Sequence, residues 1–71
     1  MGKISKIQIV IFLYEKLRRG DLVRMDVFMA EFNISIRTFR RYISEINAYL
    51  SNQFMNEEVV YDFKERTYKI K

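Results

Sequence analysis

Three arginines, Arg37, Arg40 and Arg41, crowd the stretch SIRTFRRYI that runs from Ser35 to Ile43. A guanidinium is a planar, permanently charged fork that pairs in two-point fashion with a phosphate or with the edge of a guanine. Ser35, Thr38 and Ser44 add hydroxyl groups to the same region. Lys64 and Arg66 begin a second basic group, which Lys69 and Lys71 continue against Glu65 alone. Residues of these types, in two clusters, suit the holding of a polyanion.

Bond-making chemistry has far less to work with. Cys and His are both absent, which removes disulfides, thiol nucleophiles, the usual structural zinc sites and imidazole acid–base catalysis. No Gly-rich phosphate loop occurs. Glu57 and Glu58 are adjacent, so on a strand they point to opposite sides and form no acid–base pair. The chain is therefore read as a non-enzyme with no cofactor, no metal and no small-molecule site.

A chain of 71 residues allows one domain, 1–71. Its apolar fraction of 49%, with six Phe and five Tyr and no Pro, supplies a dense core for a small α-rich fold. A net charge of +4 and an isoelectric point near 9.6 favour polyanionic partners. Lys3 and Lys6 ahead of the run IQIVIFLY superficially resemble a signal peptide. No small-residue cleavage site follows, and Gln8 and the segment EKLRR keep the run well short of the ~20 apolar residues that span a bilayer. The expected setting is a reducing cytoplasm, without a membrane.

Periodicity places the clusters on elements. From Lys3 to Arg19, Ile7, Val10, Ile11, Tyr14 and Leu17 fall on one helical arc with Ile4 and Leu13 at its margins, and Gly20 ends the helix. Ile9 and Phe12 point elsewhere, toward the far end of the domain or an outside partner. Leu22 and Val23 form a short extended piece. Asp26 suits the N-cap of a second helix through Phe32, with Val27, Phe28 and Phe32 inward and Met29 alongside. Asn33 tolerates a left-handed helix end, and Ser35 caps a third helix over about 35–51. There Phe39, Ile43, Ile46 and Leu50 make the inward stripe; Arg37, Arg41, Ser44 and Ala48 lie opposite, with Arg40 on one flank and Thr38 and Glu45 on the other. After SNQFMN the period becomes two: Val59 and Tyr61, then Tyr68 and Ile70, are the inward residues of two strands joined by DFKERT.

The order helix, short strand, helix, turn, helix, hairpin resembles a winged helix–turn–helix, an α+β fold that is mostly α, with a wing over about 58–71. NISIRTFRRYISEI is similar to the helix–turn–helix pattern of DeoR-type regulators, with Ser35, Thr38, Phe39, Arg41 and Ile43 in register and Leu17, Gly20, Val23 and Phe28 fitting upstream. VVYDFKERTYKI resembles the wing of WYL-type regulators. Met29 departs from a usual Ala, Asn33 from the turn Gly, Tyr42 from the Asp after Arg41, and no Gly precedes Tyr68. In these families the domain is joined to an effector-sensing one.

The resemblance implies sequence-specific binding of double-stranded DNA by a transcriptional regulator, a repressor in the expected case. The third helix would enter the major groove and the wing would meet backbone or minor groove. Ser35, Arg37, Thr38, Arg40, Arg41, Ser44, Lys64 and Arg66 are the expected DNA-binding residues, with Lys3 and Lys6 as weaker phosphate contacts. Most aromatic residues fall on core faces, which argues against a platform for unpaired bases; Phe63, at the wing turn, is either a wedge or a residue packed on its own hairpin. The competing reading is a winged helix used as a protein-interaction module through Ile9, Phe12 and the helix end near Tyr49. A homodimer through the edges of the first and third helices would combine both.

Overall fold

A capping box starts the first helix, α1 (Lys6–Arg19): Ser5 Oγ accepts the Gln8 N–H at 3.2 Å while Gln8 Oε1 accepts the Ser5 N–H at 3.0 Å. Gly20 ends it in the left-handed conformation (φ 79°), with its N–H on Leu17 O and the Asp21 N–H on Lys16 O. The computed structural model describes residues 5–53 and 56–71. Lys3 and Ile4, expected at the start of α1, lie outside the described residues. The chain continues through α2 (Met25–Phe32), α3 (Ile36–Asn52), β1 (Val59–Asp62) and β2 (Thr67–Ile70). Three helices followed by an antiparallel hairpin make the expected winged helix–turn–helix layout.

The buried face of α1 is Ile9, Leu13 and Leu17, which corrects the expected arc. Ile7 is 69% and Ile11 52% exposed, while Val10 and Tyr14 are half-buried. The helix is rolled by roughly one residue's angular step, about 100°. The reason is aromatic: Phe12 stacks with Phe28 at 6.3 Å and meets Phe32 edge-on at 5.5 Å. That contact turns Leu13 to the centre and leaves the isoleucine edge outside. Of the two alternatives for Ile9 and Phe12, the packing takes the one inside the domain: Ile9 is buried, and Phe12 is half-buried against the phenylalanines of α2.

In α2 the N-cap is Arg24, with no side-chain cap bond, and not Asp26. Asp26 sits in the first turn and accepts the Val27 N–H at 2.9 Å, near the positive end of the helix dipole. Phe28 is buried and Phe32 half-buried, with Met25 and Met29 also packed on the core, but Val27 is 57% exposed because it lies on the opposite side of the short helix. Asn33 takes the left-handed conformation (φ 52°, ψ 50°), as its type suggests, and Ser35 caps α3.

The buried stripe of α3 is Phe39, Tyr42, Ile46 and Leu50. Tyr42 takes the place expected for Ile43, which is half-buried, so the departure after Arg41 is a core residue. Full burial of Phe39 or Leu50 contributes on the order of 1.5–3 kcal/mol each. The hairpin pairs Val59 with Ile70 and Tyr61 with Tyr68. Backbone bonds between Glu58 and Lys71, at 3.2 and 2.9 Å, extend it across 58–71. Val23 forms an isolated bridge to β2, its carbonyl accepting the Tyr68 N–H at 2.8 Å. Leu22 stays 69% exposed. Of the residues expected inward, Val59 is buried and Tyr68 and Ile70 are half-buried, whereas Tyr61 is exposed. Tyr61 shares their face but stands farther out along the wing, and Thr67 is the second buried strand residue.

Two ties fix the wing to the helices. The half-buried Asn47 of α3 accepts the Val59 N–H through Oδ1 at 2.6 Å and points Nδ2 at Val59 O at 3.4 Å. Arg18 grips both carboxylate oxygens of Glu57 at 3.0 Å and donates to the Tyr14 hydroxyl at 2.9 Å. These partners raise the Arg18 pKa above its already high ordinary value. Among the described residues no helix is long and apolar enough to cross a membrane.

Candidate nucleic-acid interface

The inward stripe of α3 leaves a continuous outward one, and Arg37, Arg40, Arg41 and Ser44 are all exposed along it. Ser35 Oγ accepts the Thr38 N–H at 3.2 Å and donates to Thr38 Oγ1 at 3.1 Å. Its hydroxyl is therefore committed to the cap. Half-buried Thr38 keeps its own hydrogen for another acceptor. The N–H groups of Ile36 and Arg37, in the first turn, have no intrahelical partner. They stand beside Arg37 at the positive end of the helix dipole, where an anion is favoured.

Charge is unevenly distributed around this stripe. Lys6 pairs with Glu45 at 3.2 Å, Arg18 with Glu57 at 3.0 Å, Arg19 with Asp21 at 2.9 Å and Lys69 with Asp62 at 2.9 Å. Arg37, Arg40, Arg41, Lys64 and Arg66 enter none of these ion pairs. Glu45, the sole acid of α3, is turned aside to Lys6. Lys6, expected as a phosphate contact, is therefore occupied, and the arginine stripe remains uncompensated.

The turn of the wing is built around Asp62, a role the sequence reading missed. Its Oδ1 accepts the N–H groups of Lys64 at 2.9 Å and Glu65 at 3.1 Å, its carbonyl accepts the Arg66 N–H at 2.7 Å, and Oδ2 holds Lys69. The Lys69 bond, followed by the Glu65 N–H, holds the carboxyl below its ordinary pKa. An Asp opening a turn that contains charged residues two and three positions on is the side-chain-closed turn its type favours, and that signal was readable. Arg66 has φ 57°, a left-handed conformation that costs a non-glycine residue on the order of 1–2 kcal/mol. That conformation suits glycine, and here it is taken by an arginine under backbone strain.

Lys64 and Arg66 are exposed at the tip, with Glu65 between them and Phe63 beside Lys64 in the chain. Phe63 meets Tyr61 edge-on at 4.8 Å, Tyr61 meets Tyr68 at 5.0 Å, and Tyr68 meets Phe39 at 5.3 Å. A line of rings thus joins α3 to the wing tip. On another side of α3, an open apolar groove of about 340 Å³ is lined by Val10, Ile11, Tyr14, Glu45, Ile46 and Tyr49. No protein-family model, curated protein or solved structure gives a significant match to the chain.

Proposed function

We propose that this domain binds double-stranded DNA sequence-specifically and acts as a transcriptional regulator, with α3 in the major groove and the wing on backbone or minor groove. The observation that carries the reading is the uncompensated cation set: Arg37, Arg40 and Arg41 on the outward stripe of α3, with Lys64 and Arg66 at the wing tip. The major groove admits an α-helix, and arginine pairs with guanine O6 and N7. Arg37 in the first turn reads base edges, Arg41 one turn on reads a base or bridges to phosphate, and Arg40 at the flank holds phosphate. The open N–H groups of Ile36 and Arg37 donate to the oxygens of another phosphate. The likeness of residues 33–46 to DeoR-type regulators, and of 59–70 to the WYL-type wing, supports the same assignment in a cytoplasmic setting.

Selection from fragmented genomic DNA at two salt concentrations tests it. Recovered duplexes should share a motif, and affinity should fall with salt by about 0.9 in log K per log unit for each phosphate neutralised. Absence of duplex binding at low salt ends this reading.

A second reading, a protein-interaction module or a homodimer, is favoured by the α1–α3 groove and its rim, where Ile7, Ile11 and Tyr49 are 69%, 52% and 48% exposed. A mass measurement with and without DNA separates the cases. A dimer only on palindromic DNA would join both readings.

A further inference from the structure

Phe63 is the most exposed large apolar side chain of the described residues, 83% in solvent, yet it stands at the tip of a tightly organised turn. A solvated hairpin tip needs no phenylalanine, and one edge contact with Tyr61 covers little of the ring. Its neighbours give it a direction. Lys64 and Arg66 follow it within three positions, both exposed and in none of the ion pairs among the described residues, so the tip presents an apolar ring beside two cations. Minor-groove wedges combine the same elements: basic residues on the strands and an apolar side chain between base steps.

We propose that Phe63 is such a wedge, entering the minor groove and partly unstacking a flexible pyrimidine–purine step beside the helix-bound site. The inference rests on the DNA-binding reading and adds a deformation to it. Unstacking a step is costly, so a wedge must arrive already ordered. The Asp62 carboxylate supplies that order by closing the turn on Lys64 and Glu65 and holding Lys69. The rings of Tyr61, Tyr68 and Phe39 back Phe63 in sequence, so pressure on the tip is carried into the core. Each strand spans about 13 Å, enough to hold the tip clear of the helices. Specificity would then gain a part read through deformability, since TA and CA steps open more readily than A-tracts.

The test uses short duplexes with 2-aminopurine at a TA step or within an A-tract, titrated at low salt with the wild-type chain, Phe63→Ala and Phe63→Leu. Wild type should raise the fluorescence at the TA step, and Phe63→Leu should retain part of the rise. Phe63→Ala should lose it and bind roughly tenfold more weakly, with an unchanged melting temperature because the ring is exposed. An equal rise with Phe63→Ala, or none with wild type bound, overturns the wedge and leaves DNA binding standing. No anisotropy change on any duplex removes the DNA reading itself. Sedimentation with anionic vesicles, lost in Phe63→Ala while duplex affinity is unaffected, would reassign the tip to a lipid surface and also overturn the wedge.

Discussion

Replacing Asn47 with Ala removes the side chain that locks the wing to α3. The Val59 N–H then loses its 2.6 Å acceptor. Val59 is only 5% exposed, so water reaches that N–H poorly and the group is left without a partner. An unsatisfied buried donor costs about 1–3 kcal/mol. The second bond, Nδ2 to Val59 O at 3.4 Å, is at the edge of hydrogen-bond range and adds little. We expect a loss of about 2 kcal/mol, which for a domain of this size lowers the melting temperature by about 8–16 °C. Urea unfolding followed by circular dichroism measures it, with the m-value checking that the native state has not expanded. Because Asn47 and the arginine stripe share α3, residual folded protein should still bind duplex, with a weaker wing contribution. A loss below about 0.5 kcal/mol with a normal m-value refutes the assigned role; the hairpin would then be held by the packing of Val59, Tyr68 and Ile70, the Val23 backbone bridge and the Arg18–Glu57 fork.

Asp62 has its pKa lowered from an ordinary value of 3.8, so its contribution is complete above that value and lost as pH falls through the depressed folded pKa. Stability of the wild-type chain measured by urea titration should fall more steeply in that acid window than stability of Asp62→Asn; parallel curves contradict the assignment. Lys64→Ala with Arg66→Ala should weaken all duplexes alike and flatten the salt slope by up to about two units, and an unchanged slope removes the wing from the interface. Arg66→Gly splits two effects: relief of about 1–2 kcal/mol of left-handed strain at least offsets glycine's extra chain entropy of about 0.5–1 kcal/mol, so stability should hold or rise by about 1 kcal/mol, while the salt slope falls by about one. A melting temperature lowered by several degrees would show that the arginine is not strained.

Much of this fold is legible because local signals agree with one another. Gly20 and Asn33 sit where left-handed helix ends are needed, Ser35 caps α3, and the change of period after SNQFMN marks the hairpin. The roll of α1 was not legible. Its apolar residues cover two overlapping arcs, and only the partner rings of Phe28 and Phe32 choose between them. Tyr42 was misplaced for a related reason: Phe39 and Ile46 allow either Tyr42 or Ile43 as the residue between them, and packing selects Tyr42. Exposure of Arg37, Arg40, Arg41 and Ser44 follows from the stripe pattern, and that of Ser35, Lys64 and Arg66 from their places at a cap and in a turn; Thr38 is half-buried. What spacing does not disclose is charge pairing across elements. Lys6 draws Glu45 away from α3 over thirty-nine positions of chain, and Arg18 takes Glu57 over the same separation.

Recognition by α3 is tested most directly by the base preference of Arg37→Ala set against that of Arg40→Ala, each profiled over a library of variants of the selected site. Both side chains are exposed, so melting temperatures should barely move. Arg37→Ala should cost about 1–3 kcal/mol on the preferred site and relax the choice at one base pair, with non-specific affinity little changed. Arg40→Ala should weaken every sequence about equally and lower the salt slope by about one. If both variants lose affinity uniformly and keep the wild-type base preference, α3 is an electrostatic anchor and sequence is read elsewhere.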